Sequence, residues 1–569
     1  MMEQYTGSRI LIEALIAQGV DVIFGYPGGA VLNIYDELYI HRDRIRHILV
    51  SHEQHAAHAA DGYARSTGKV GVCLATSGPG ATNLITGIAT AYMDSSPIVA
   101  ITGNVSTQLL GKDSFQEVDI AGISMPVVKH NWIVKNVDDL AEIVREAFLV
   151  AKSGRPGPVL IDIPKDITAQ KTGIASLFTD STVMKERAGR LTERSTRKSY
   201  NDDDIKQAAA MICEARHPVI LSGGGVIISG ASEEVRLLAE KINAPVAISL
   251  MGLGSLSPDH RLYTGMIGMH GSVASNKATQ QADLFIAVGA RFSDRVTSQA
   301  GDFAKQAKVL QFDIDRAEIN KNIPTAAFVA GDIKTVLQKV TEALPERLEN
   351  DWGNSVAEWK AITPESHRKP SALHPRFVIG SVAGKLGHEA IVVTDVGQHQ
   401  MWTAQFYPHS RPRAFLTSGG LGTMGFGLGA ALGAKAANPG KPVVLFTGDG
   451  SFRMNCAELG TLAAYKMGVL VVVLNNRVLG MVRQWQTLFY EKRFSHTILD
   501  RPPDFAALAA AYGCAGYRAE NKETYTAALT EALDGLSAGK TSVIDARIDM
   551  DEFVLPMVPG GKPIDQQIL

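Results

Sequence analysis

Two short motifs in the last third of the chain carry side chains that suit a divalent cation. Gly448-Asp449-Gly450 follows one apolar run, and Asn475-Asn476 ends the next, with Asn476 27 residues after Asp449. A strand, a helix and a second strand consume about this much chain, and right-handed winding brings both strand ends to one edge of a parallel sheet. One carboxylate and one amide oxygen at such an edge suit Mg²⁺ completed by phosphate oxygens. Gly-Asp-Gly alone is typical of an ordinary turn, but the second motif at this spacing favours a magnesium and phosphate site, with helical N–H groups after Ser451 facing the anion.

The elements that must position these motifs recur three times along the chain. Short β-branched runs end in Gly, Ser, Asp or Asn, and each is followed by an Ala-rich helical segment. This alternation predicts an α/β protein with three doubly wound parallel-sheet domains. The predicted strand runs are DVIFG, IRHILV, VGVCLA, PIVAITG and GPVLIDIP, then PVILS, PVAIS, LFIAVG and KVLQFD, then EAIVVTD, PVVLFTG, LVVVLN and SVIDAR. The predicted boundaries are an N-terminal domain at 1–168, a polar linker at 169–201, a central domain at 202–349, a C-terminal domain at 371–550 and a tail at 551–569.

Composition restricts the classes of function. The 569 residues are 45% hydrophobic and 20% charged, which is typical of a folded globular chain. The formal net charge of −2 comes without a basic stripe, so we expect no nucleic-acid partner. The four scattered cysteines favour reduced thiols, and no apolar run reaches the roughly 20 residues of a membrane span. The first 20 residues lack a signal-peptide pattern, so we expect no membrane partner and a cytoplasmic location.

The paired motifs resemble the binding motif of thiamine-diphosphate enzymes, in which Mg²⁺ carries the cofactor's diphosphate. The resemblance implies that Asp449, the Asn476 side chain and the Val478 carbonyl bind the metal. It also implies a diphosphate cradle and a loop that holds the cofactor's aminopyrimidine ring, with Met424 as the wedge that keeps the cofactor bent. The expected cradle and loop residues are Gly397, Gln398, His399, Gly422, Gly450, Ser451, Gly480 and Met481.

Thiamine chemistry needs a carboxylate beside the aminopyrimidine ring, and Glu53 is the candidate. It stands where a strand run ends and an Ala-rich helix begins, the edge at which α/β sheets bind ligands. The nearby His52, His55 and His58 lack the His-Glu-x-x-His pattern of zinc proteases, so zinc is not favoured. Glu53 and Asp449 belong to different domains, and the resemblance implies that the site lies between two subunits of a homodimer or homotetramer.

Strings in all three domains resemble the catalytic subunits of the acetohydroxyacid synthase (acetolactate synthase) family. They include FGYPGGAVLNIYDEL, TSGPGATNL, GRPGPVLIDIPKD, GARFSDRVT, SGGLGTMGFG, GDGSFRMN, GMVRQWQTLFY and VLPMVPGG. The family implies a transferase of branched-chain amino acid biosynthesis. It decarboxylates pyruvate and ligates the hydroxyethyl carbanion to a second pyruvate, giving 2-acetolactate, or to 2-oxobutyrate, giving 2-aceto-2-hydroxybutyrate. A separate regulatory subunit is a further possible partner.

The family resemblance also assigns substrate and flavin residues. Arg295 matches the cation for the acceptor's carboxylate, Trp485 matches the face that favours the larger acceptor, and Gln116 matches a catalytic position. The remaining substrate positions are Gly29, Ala30, Phe115, Lys165 and Met269. The central domain is expected to bind FAD, which does no net redox work, through Gly223, Gly224, Gly225, His270, Arg291, Asp313 and Asp315.

The sequence departs from the family pattern at several positions, and other functions remain open. Ser106, Ser114, Ser293 and Gly429 replace common family residues, of which Ser293 adjoins the expected flavin site and Ser106 the loop where inhibitory herbicides bind. Pyruvate oxidase shares thiamine, magnesium and FAD, but it needs no second 2-oxo acid, so Arg295 and Trp485 favour ligation. A catabolic acetolactate synthase without FAD and an inactive scaffolding subunit are the further alternatives, whereas glyoxylate carboligase lacks the glutamate that Glu53 supplies.

Overall fold

The computed structural model describes residues 4–173, 200–346, 350, 352–362, 373–501 and 503–569. Most of the predicted linker, residues 174–199, lies outside the described residues. The part of it that is described includes Lys171–Thr172, which pairs antiparallel with Tyr5–Thr6. Among the described residues, no helix is long and apolar enough to cross a membrane.

Three parallel six-stranded sheets organise the chain, which confirms the predicted fold class. In spatial order, the strands of the first sheet are Arg46–Leu49, Val22–Gly25, Gly71–Ala75, Ile98–Asn104, Val159–Pro164 and His130–Ile133. Those of the second are Tyr263–Met266, Val246–Ile248, Pro218–Ser222, Leu284–Val288, Lys308–Asp313 and Ala327–Ala330. Those of the third are Phe415–Leu416, Ile391–Thr394, Val443–Gly448, Leu470–Asn475, Ser542–Arg547 and Ala515–Ala519.

Helices cover both faces of each sheet, as parallel strands require. Those around the first sheet are Gly7–Ala17, Leu32–Ile40, Glu53–Thr67, Pro79–Asn83, Ile85–Met93, Ile120–Ser124, Leu140–Lys152 and Lys165–Ala169. Those around the second are Asp202–Glu214, Gly224–Ser229, Ser232–Ile242, Val273–Gln281, Asp294–Thr297, Ile333–Ala343 and Gly353–Lys360. Those around the third are Pro375–Leu386, Gln398–Phe406, Phe426–Ala437, Asp449–Phe452, Glu458–Ala464, Gly480–Phe489, Phe505–Ala511 and Lys522–Leu536.

The first and third sheets share one hydrophobic core through two small-residue helices. Glu53–Thr67 packs on Phe426–Ala437 so closely that a Cβ on Gly62 would lie 2.1 Å from the Ala430 carbonyl oxygen. A Cβ on Gly433 would lie 1.8 Å from the Ala59 carbonyl oxygen. Glycine is therefore required where the two backbones approach, and this contact sets the position of the helix that carries Glu53.

Each sheet with its surrounding helices is called a unit below. The C-terminal tail contacts both the second and the third unit. Its Val558 N–H donates to the Met269 carbonyl at 2.8 Å, and its Ile564 carbonyl accepts from Asn276 Nδ2 at 2.8 Å. On the other side, Gln405 Nε2 donates to the Leu555 carbonyl at 3.2 Å. The tail thus lies between the unit with the expected flavin residues and the unit with the Asp449 motif.

Candidate active site

The two cation-binding motifs lie at the same edge of the third sheet. Strand Val443–Gly448 pairs in parallel with Leu470–Asn475, and Gly448 lies opposite Leu474. Asp449 therefore leaves its strand at the level of Asn475, with Asn476 one residue beyond. The adjacency predicted from the spacing is confirmed. The helix after the motif differs from the prediction, because it is broken into Asp449–Phe452 and Glu458–Ala464.

Asp449 is a buried carboxylate with unused binding capacity. Its side chain is 1% exposed, and Oδ2 has no hydrogen-bond donor. Burial raises the pKa of Asp449 to about 7, because the charged form is stripped of water. A cation bound at Oδ2 would supply the missing partner, so the carboxylate fits the metal-ligand role that the sequence assigns to it. The expected metal ligands are one carboxylate, one amide oxygen and one main-chain carbonyl. This set differs from a cluster of acidic, His or Cys side chains, and the described residues contain no group of three or more of those that could hold a metal.

Asn476, Gln398 and Gly480 form one tight cluster beside Asp449's strand. Asn476 Nδ2 donates to Gln398 Oε1 at 3.0 Å, which leaves the amide oxygen of Asn476 directed elsewhere, toward the Val478 N–H at 3.3 Å. Gln398 Nε2 is held in turn by Gln484 Oε1 at 3.0 Å. A Cβ on Gly480 would lie 1.9 Å from Gln398 Oε1, so any other residue there requires the Gln398 side chain to shift. Three of the residues predicted from sequence are thus brought together, and Gln484, which sequence reasoning missed, anchors them.

His399 lies against the backbone that leads into Asp449. A Cβ on Gly448 would lie 2.8 Å from His399 Nδ1, and one on Gly397 would lie 2.9 Å from His399 Cε1. Burial lowers the pKa of His399 to about 3, so the ring is neutral. Its buried Nε2 has no hydrogen-bond partner. A neutral ring with an unused nitrogen beside the metal edge fits a contact to a bound diphosphate or its water.

Asp395 holds the loop that contains Met424. Its Oδ1 accepts from the Gly425 N–H at 2.9 Å and from the Gly427 N–H at 3.0 Å, and its Oδ2 accepts from Thr447 Oγ1 at 3.0 Å. Burial raises the pKa of this carboxyl above its usual value, although the hydrogen-bond donors around it oppose the shift. Asp395 was missed from sequence, although an acidic residue at the end of a strand run on the same edge was the available signal.

The Met424 loop is also tied to the Asp449 turn. Ser451 Oγ accepts from the Gly425 N–H at 3.2 Å, and a Cβ on Gly450 would lie 3.9 Å from Met424 Cε. Gly422 adopts φ of +71°, a conformation that favours glycine. Met424, Gly450 and Ser451 are therefore neighbours. Met481 follows Gly480 in the helix that starts at the same edge and packs against the apolar core of the third unit.

Glu53 starts the helix Glu53–Thr67, whose N-terminus is capped by His52 Nδ1 accepting from the Gln54 N–H at 3.1 Å. A carboxylate in a first helical turn is favoured by the helix dipole. Glu53 Oε2 accepts from Asn83 Nδ2 at 2.9 Å, a partner that sequence reasoning missed. Among the described residues, no hydrogen bond joins Glu53 to the edge of the third sheet at which Asp449 and Asn476 of the same chain lie.

The residues assigned to a flavin surround the ends of the second sheet. Gly223 and Gly225 lie against the Gly289 backbone, and a Cβ on Gly223 would lie 2.1 Å from the Gly289 carbonyl oxygen, whereas one on Gly224 would lie 3.1 Å from Met251 Cβ. Packing alone therefore accounts for Gly223. Arg291 Nη1 donates to the Met93 carbonyl at 2.6 Å, which links this unit to the first.

Of the other assigned flavin residues, His270 and Asp313 are buried and Asp315 is half-buried. Burial raises the pKa of Asp313 to about 6 and lowers that of His270 to about 4. His270 Nδ1 lies 3.2 Å from the Pro556 carbonyl oxygen of the tail. The Asp315 N–H donates to Asp313 Oδ1 at 2.9 Å, and Asp315 Oδ2 lies 3.4 Å from Arg155 Nη1.

Two of the predicted substrate residues lie together, on the second unit. Arg295 Nη1 is 3.8 Å from Met269 Sδ, and the Met269 N–H donates to the Arg295 carbonyl at 2.9 Å. The Arg295 side chain is 63% exposed, and Asp294, 3.8 Å away, is its ion-pair partner. The guanidinium therefore retains donors for a carboxylate. Trp485 is on another unit, packed edge-to-face against Phe489 at 5.8 Å, with its buried Nε1 unpartnered.

The remaining predicted substrate residues belong to the first unit. The Ala30 N–H donates to Thr76 Oγ1 at 3.4 Å, and a Cβ on Gly29 would meet no atom within 4 Å. Gln116 has φ of +58°, and its backbone lies against Gly78. Phe115 and Lys165 are exposed, Phe115 to 87%.

Comparison with known proteins places the chain among thiamine enzymes. Residues 5–123 match the N-terminal TPP-binding domain of thiamine pyrophosphate enzymes, 205–340 match the central domain, and 395–546 match the C-terminal TPP-binding domain. Each match falls on a different one of the three sheets, although the first ends before the strands His130–Ile133 and Val159–Pro164. The fold and the site therefore define a thiamine-diphosphate-dependent enzyme.

Similarity to full-length proteins shows which family of thiamine-diphosphate-dependent enzymes the chain belongs to. The chain is 46% identical to the acetolactate synthase large subunit of Buchnera aphidicola from Acyrthosiphon pisum, over 98% of each chain. It is 43% identical to the acetolactate synthase isozyme 3 large subunit of Escherichia coli K12, over 100% of this chain and 99% of that one. It is 46% identical to a probable acetolactate synthase large subunit of Methanocaldococcus jannaschii, over 98% and 94%. The chain belongs to the acetolactate synthase large-subunit family.

Proposed function

We propose that the chain is the catalytic subunit of an acetolactate synthase that joins two 2-oxo acids. Pyruvate would lose carbon dioxide, and the remaining two-carbon unit would be transferred to a second pyruvate or to 2-oxobutyrate. One observation carries the proposal. In a chain of this family, Asp449 and Asn476 lie at the same edge of the third sheet, and a buried carboxylate oxygen of Asp449 has no hydrogen-bond partner.

Asp449, Asn476 and the Val478 carbonyl would hold Mg²⁺, and Mg²⁺ would carry the diphosphate of the cofactor. When bound, thiamine diphosphate supplies a thiazolium carbon that adds to the carbonyl of a 2-oxo acid and accepts the electrons released with carbon dioxide. Gly450 and Gly480 let their backbone lie close to Leu479 and Gln398, since a Cβ at either position would meet those side chains within 2.6 Å. Neutral His399 would complete the cradle, and the Gln398 amide, whose donors are taken by Gln484 Oε1 and the Glu552 carbonyl, would orient Asn476.

Glu53 would hydrogen-bond a ring nitrogen of the aminopyrimidine and hold a proton there. Its hydrogen bond to Asn83 fixes the carboxylate within the first unit, while the Asp449 edge belongs to the third. We therefore infer that a second copy of the chain completes each site, in a homodimer or homotetramer. A separate regulatory subunit is a further proposed partner, since the relatives named above are large subunits.

Arg295 would bind the carboxylate of the acceptor, because its exposed guanidinium offers paired donors. Trp485 would contact the acceptor's alkyl group. One methylene in an apolar pocket is worth about 1–3 kcal/mol, so the preference for 2-oxobutyrate should be moderate. FAD would lie at the second unit beside Arg291, His270 and Asp313.

The test is pyruvate turnover with thiamine diphosphate and Mg²⁺, with and without FAD. The product is 2-acetolactate, detected as acetoin after acid treatment, and carbon dioxide is measured in parallel. One 2-acetolactate for each carbon dioxide, with dependence on FAD, supports the proposal. Oxygen consumption with acetate or acetyl phosphate as product would refute it in favour of an oxidase. Product formation without any need for FAD would refute the flavin assignment alone.

A further inference from the structure

The turn that precedes Glu53 is held by a segment of the third unit. The Leu49 N–H donates to Tyr465 Oη at 2.9 Å, and Ser51 Oγ donates to the Ala457 carbonyl at 3.1 Å. The strongest link is Glu458, whose Oε1 accepts from the Ser51 N–H at 2.9 Å. The strand-to-helix turn that carries Glu53 is thus bonded to residues 406 or more positions away in sequence, and not only to its own sheet.

Glu458 also holds the first turn of the Glu53 helix. Its Oε1 lies 2.9 Å from His55 Nδ1, and its Oε2 accepts from Thr461 Oγ1 at 2.7 Å. The Glu458 side chain is 0% exposed, and both of its oxygens have partners. A carboxylate that served only its own helix would direct both oxygens to that helix. Instead, Glu458 Oε1 binds a backbone N–H and a ring nitrogen of the first unit.

These contacts bracket Glu53 on both sides. Ser51 lies two residues before Glu53 and His55 lies two residues after it, and both are bound to the same oxygen of Glu458. The Glu53 backbone is therefore fixed relative to the third unit, and the Asn83 hydrogen bond then sets the direction of its carboxylate. Loss of Glu458 would release the turn and let Glu53 shift, while the hydrogen bond between Glu53 and Asn83 could persist.

The same segment connects to the Met424 loop. The Glu458 N–H donates to the Asn455 carbonyl at 3.1 Å, and Asn455 Nδ2 donates to the Gly425 carbonyl at 2.9 Å. Gly425 follows Met424, the residue assigned to the wedge under the cofactor. Glu458 therefore lies on a continuous set of hydrogen bonds between the Glu53 turn and the Met424 loop of one chain, which the proposed function assigns to the two different sites of the dimer.

We propose that Glu458 is a positioning residue for Glu53. It places the carboxylate of Glu53 without touching cofactor or substrate, through the Ser51 N–H and the His55 ring. This inference deepens the proposed function and rests on it, because it requires that Glu53 be the carboxylate that acts on the cofactor. A displacement of about 1 Å in a catalytic group can cost on the order of 100-fold in rate.

The experiment uses the full chain loaded with thiamine diphosphate and Mg²⁺ at saturating concentration. The main readout is the rate at which the acidic ring proton of bound thiamine diphosphate exchanges with deuterium, followed by NMR after acid quenching and without pyruvate. Thermal unfolding, kcat and KM for pyruvate are measured on the same samples. Glu458→Ala should slow exchange and kcat by about 10- to 100-fold, with KM unchanged.

Two variants separate positioning from general destabilisation. Glu458→Gln should restore most of the exchange rate, because its carbonyl oxygen can still accept from Ser51 and His55 while its amide donates to Thr461. Glu234→Ala is the matched control, since Glu234 is also buried, accepts from Gln338 Nε2 at 2.8 Å and belongs to the second unit. It should lower thermal stability without changing the exchange rate.

Each outcome decides the inference. Exchange in Glu458→Ala at the wild-type rate, or equal slowing in Glu458→Gln and Glu458→Ala, would overturn it. If Glu458→Ala does not fold, His55→Ala decides, since it removes one of the two donors: slowed exchange supports the inference and wild-type exchange overturns it. Glu53→Gln identifies the source of a failure. If it exchanges at the wild-type rate, the role proposed for Glu53 is wrong; if it does not exchange and Glu458→Ala is normal, only the positioning role is wrong.

Discussion

Gly480 leaves no space for a side chain between Gln398 and Asn476. A Cβ at this position would lie 1.9 Å from Gln398 Oε1 and 2.7 Å from Asn476 Nδ2. Both distances are far inside normal contact, so Gly480→Ala must break the 3.0 Å hydrogen bond between the two side chains or displace the start of the helix Gly480–Phe489. Since Asn476 is an expected metal ligand and Gln398 an expected diphosphate contact, the substitution should weaken cofactor binding.

The size of the effect follows from the hydrogen bond. A buried polar group that loses its partner costs about 1–3 kcal/mol. At about 1.4 kcal/mol for each tenfold change, the affinity for thiamine diphosphate with Mg²⁺ should fall by about 5- to 140-fold. Stability should fall less than affinity, because alanine is favoured over glycine in a helix by up to about 1 kcal/mol.

The measurement is a titration of cofactor-free protein with thiamine diphosphate at fixed Mg²⁺, by calorimetry or fluorescence quenching. Gly380→Ala is the control, because Gly380 lies in the helix Pro375–Leu386 and a Cβ there meets no atom within 4 Å. The control should bind the cofactor with wild-type affinity and unfold at the same or a slightly higher temperature. Wild-type affinity in Gly480→Ala would show that this cluster does not hold the cofactor.

Three further substitutions test other parts of the structure. Glu53→Gln should lower 2-acetolactate formation by about 10²- to 10⁴-fold while cofactor titrations stay close to wild type, and full activity would contradict its assigned role. Gly433→Ala should destabilise the fold by about 1–3 kcal/mol in denaturant unfolding, because its Cβ would meet the Ala59 carbonyl oxygen at 1.8 Å, and an unchanged midpoint would show that the two helices can separate at no cost. Burial lowers the pKa of His409 to about 4. As pH falls from about 6.5 to 4, this histidine is protonated in the unfolded chain but not in the folded one, and the folded state therefore loses up to about 3 kcal/mol of stability. His409→Gln should therefore lose less stability than wild type over that pH range, and parallel pH profiles would contradict the assignment.

Much of the fold could be predicted because central parallel strands are buried on both faces and appear as continuous apolar runs. The runs around Val443–Gly448 and Leu470–Asn475 were identified in this way, and their adjacency followed from crossover length. Most strands at the sheet edges were missed, although the edge strand Arg46–Leu49 was predicted from the run IRHILV. His130–Ile133, Phe415–Leu416 and Ala515–Ala519 are short or partly exposed, so they lack the continuous apolar signal.

The sequence by itself determined the strand motifs, the residues at their ends and the family to which they belong, because these depend on local pattern and on the identity of a few side chains. Tertiary structure alone decided which distant groups meet. The contact of Glu458 with His55 joins positions 403 apart, and the two NH groups that Asp395 binds follow it by 30 and 32 residues. Such pairings are set by how whole sheets and helices pack, and no local spacing records that packing.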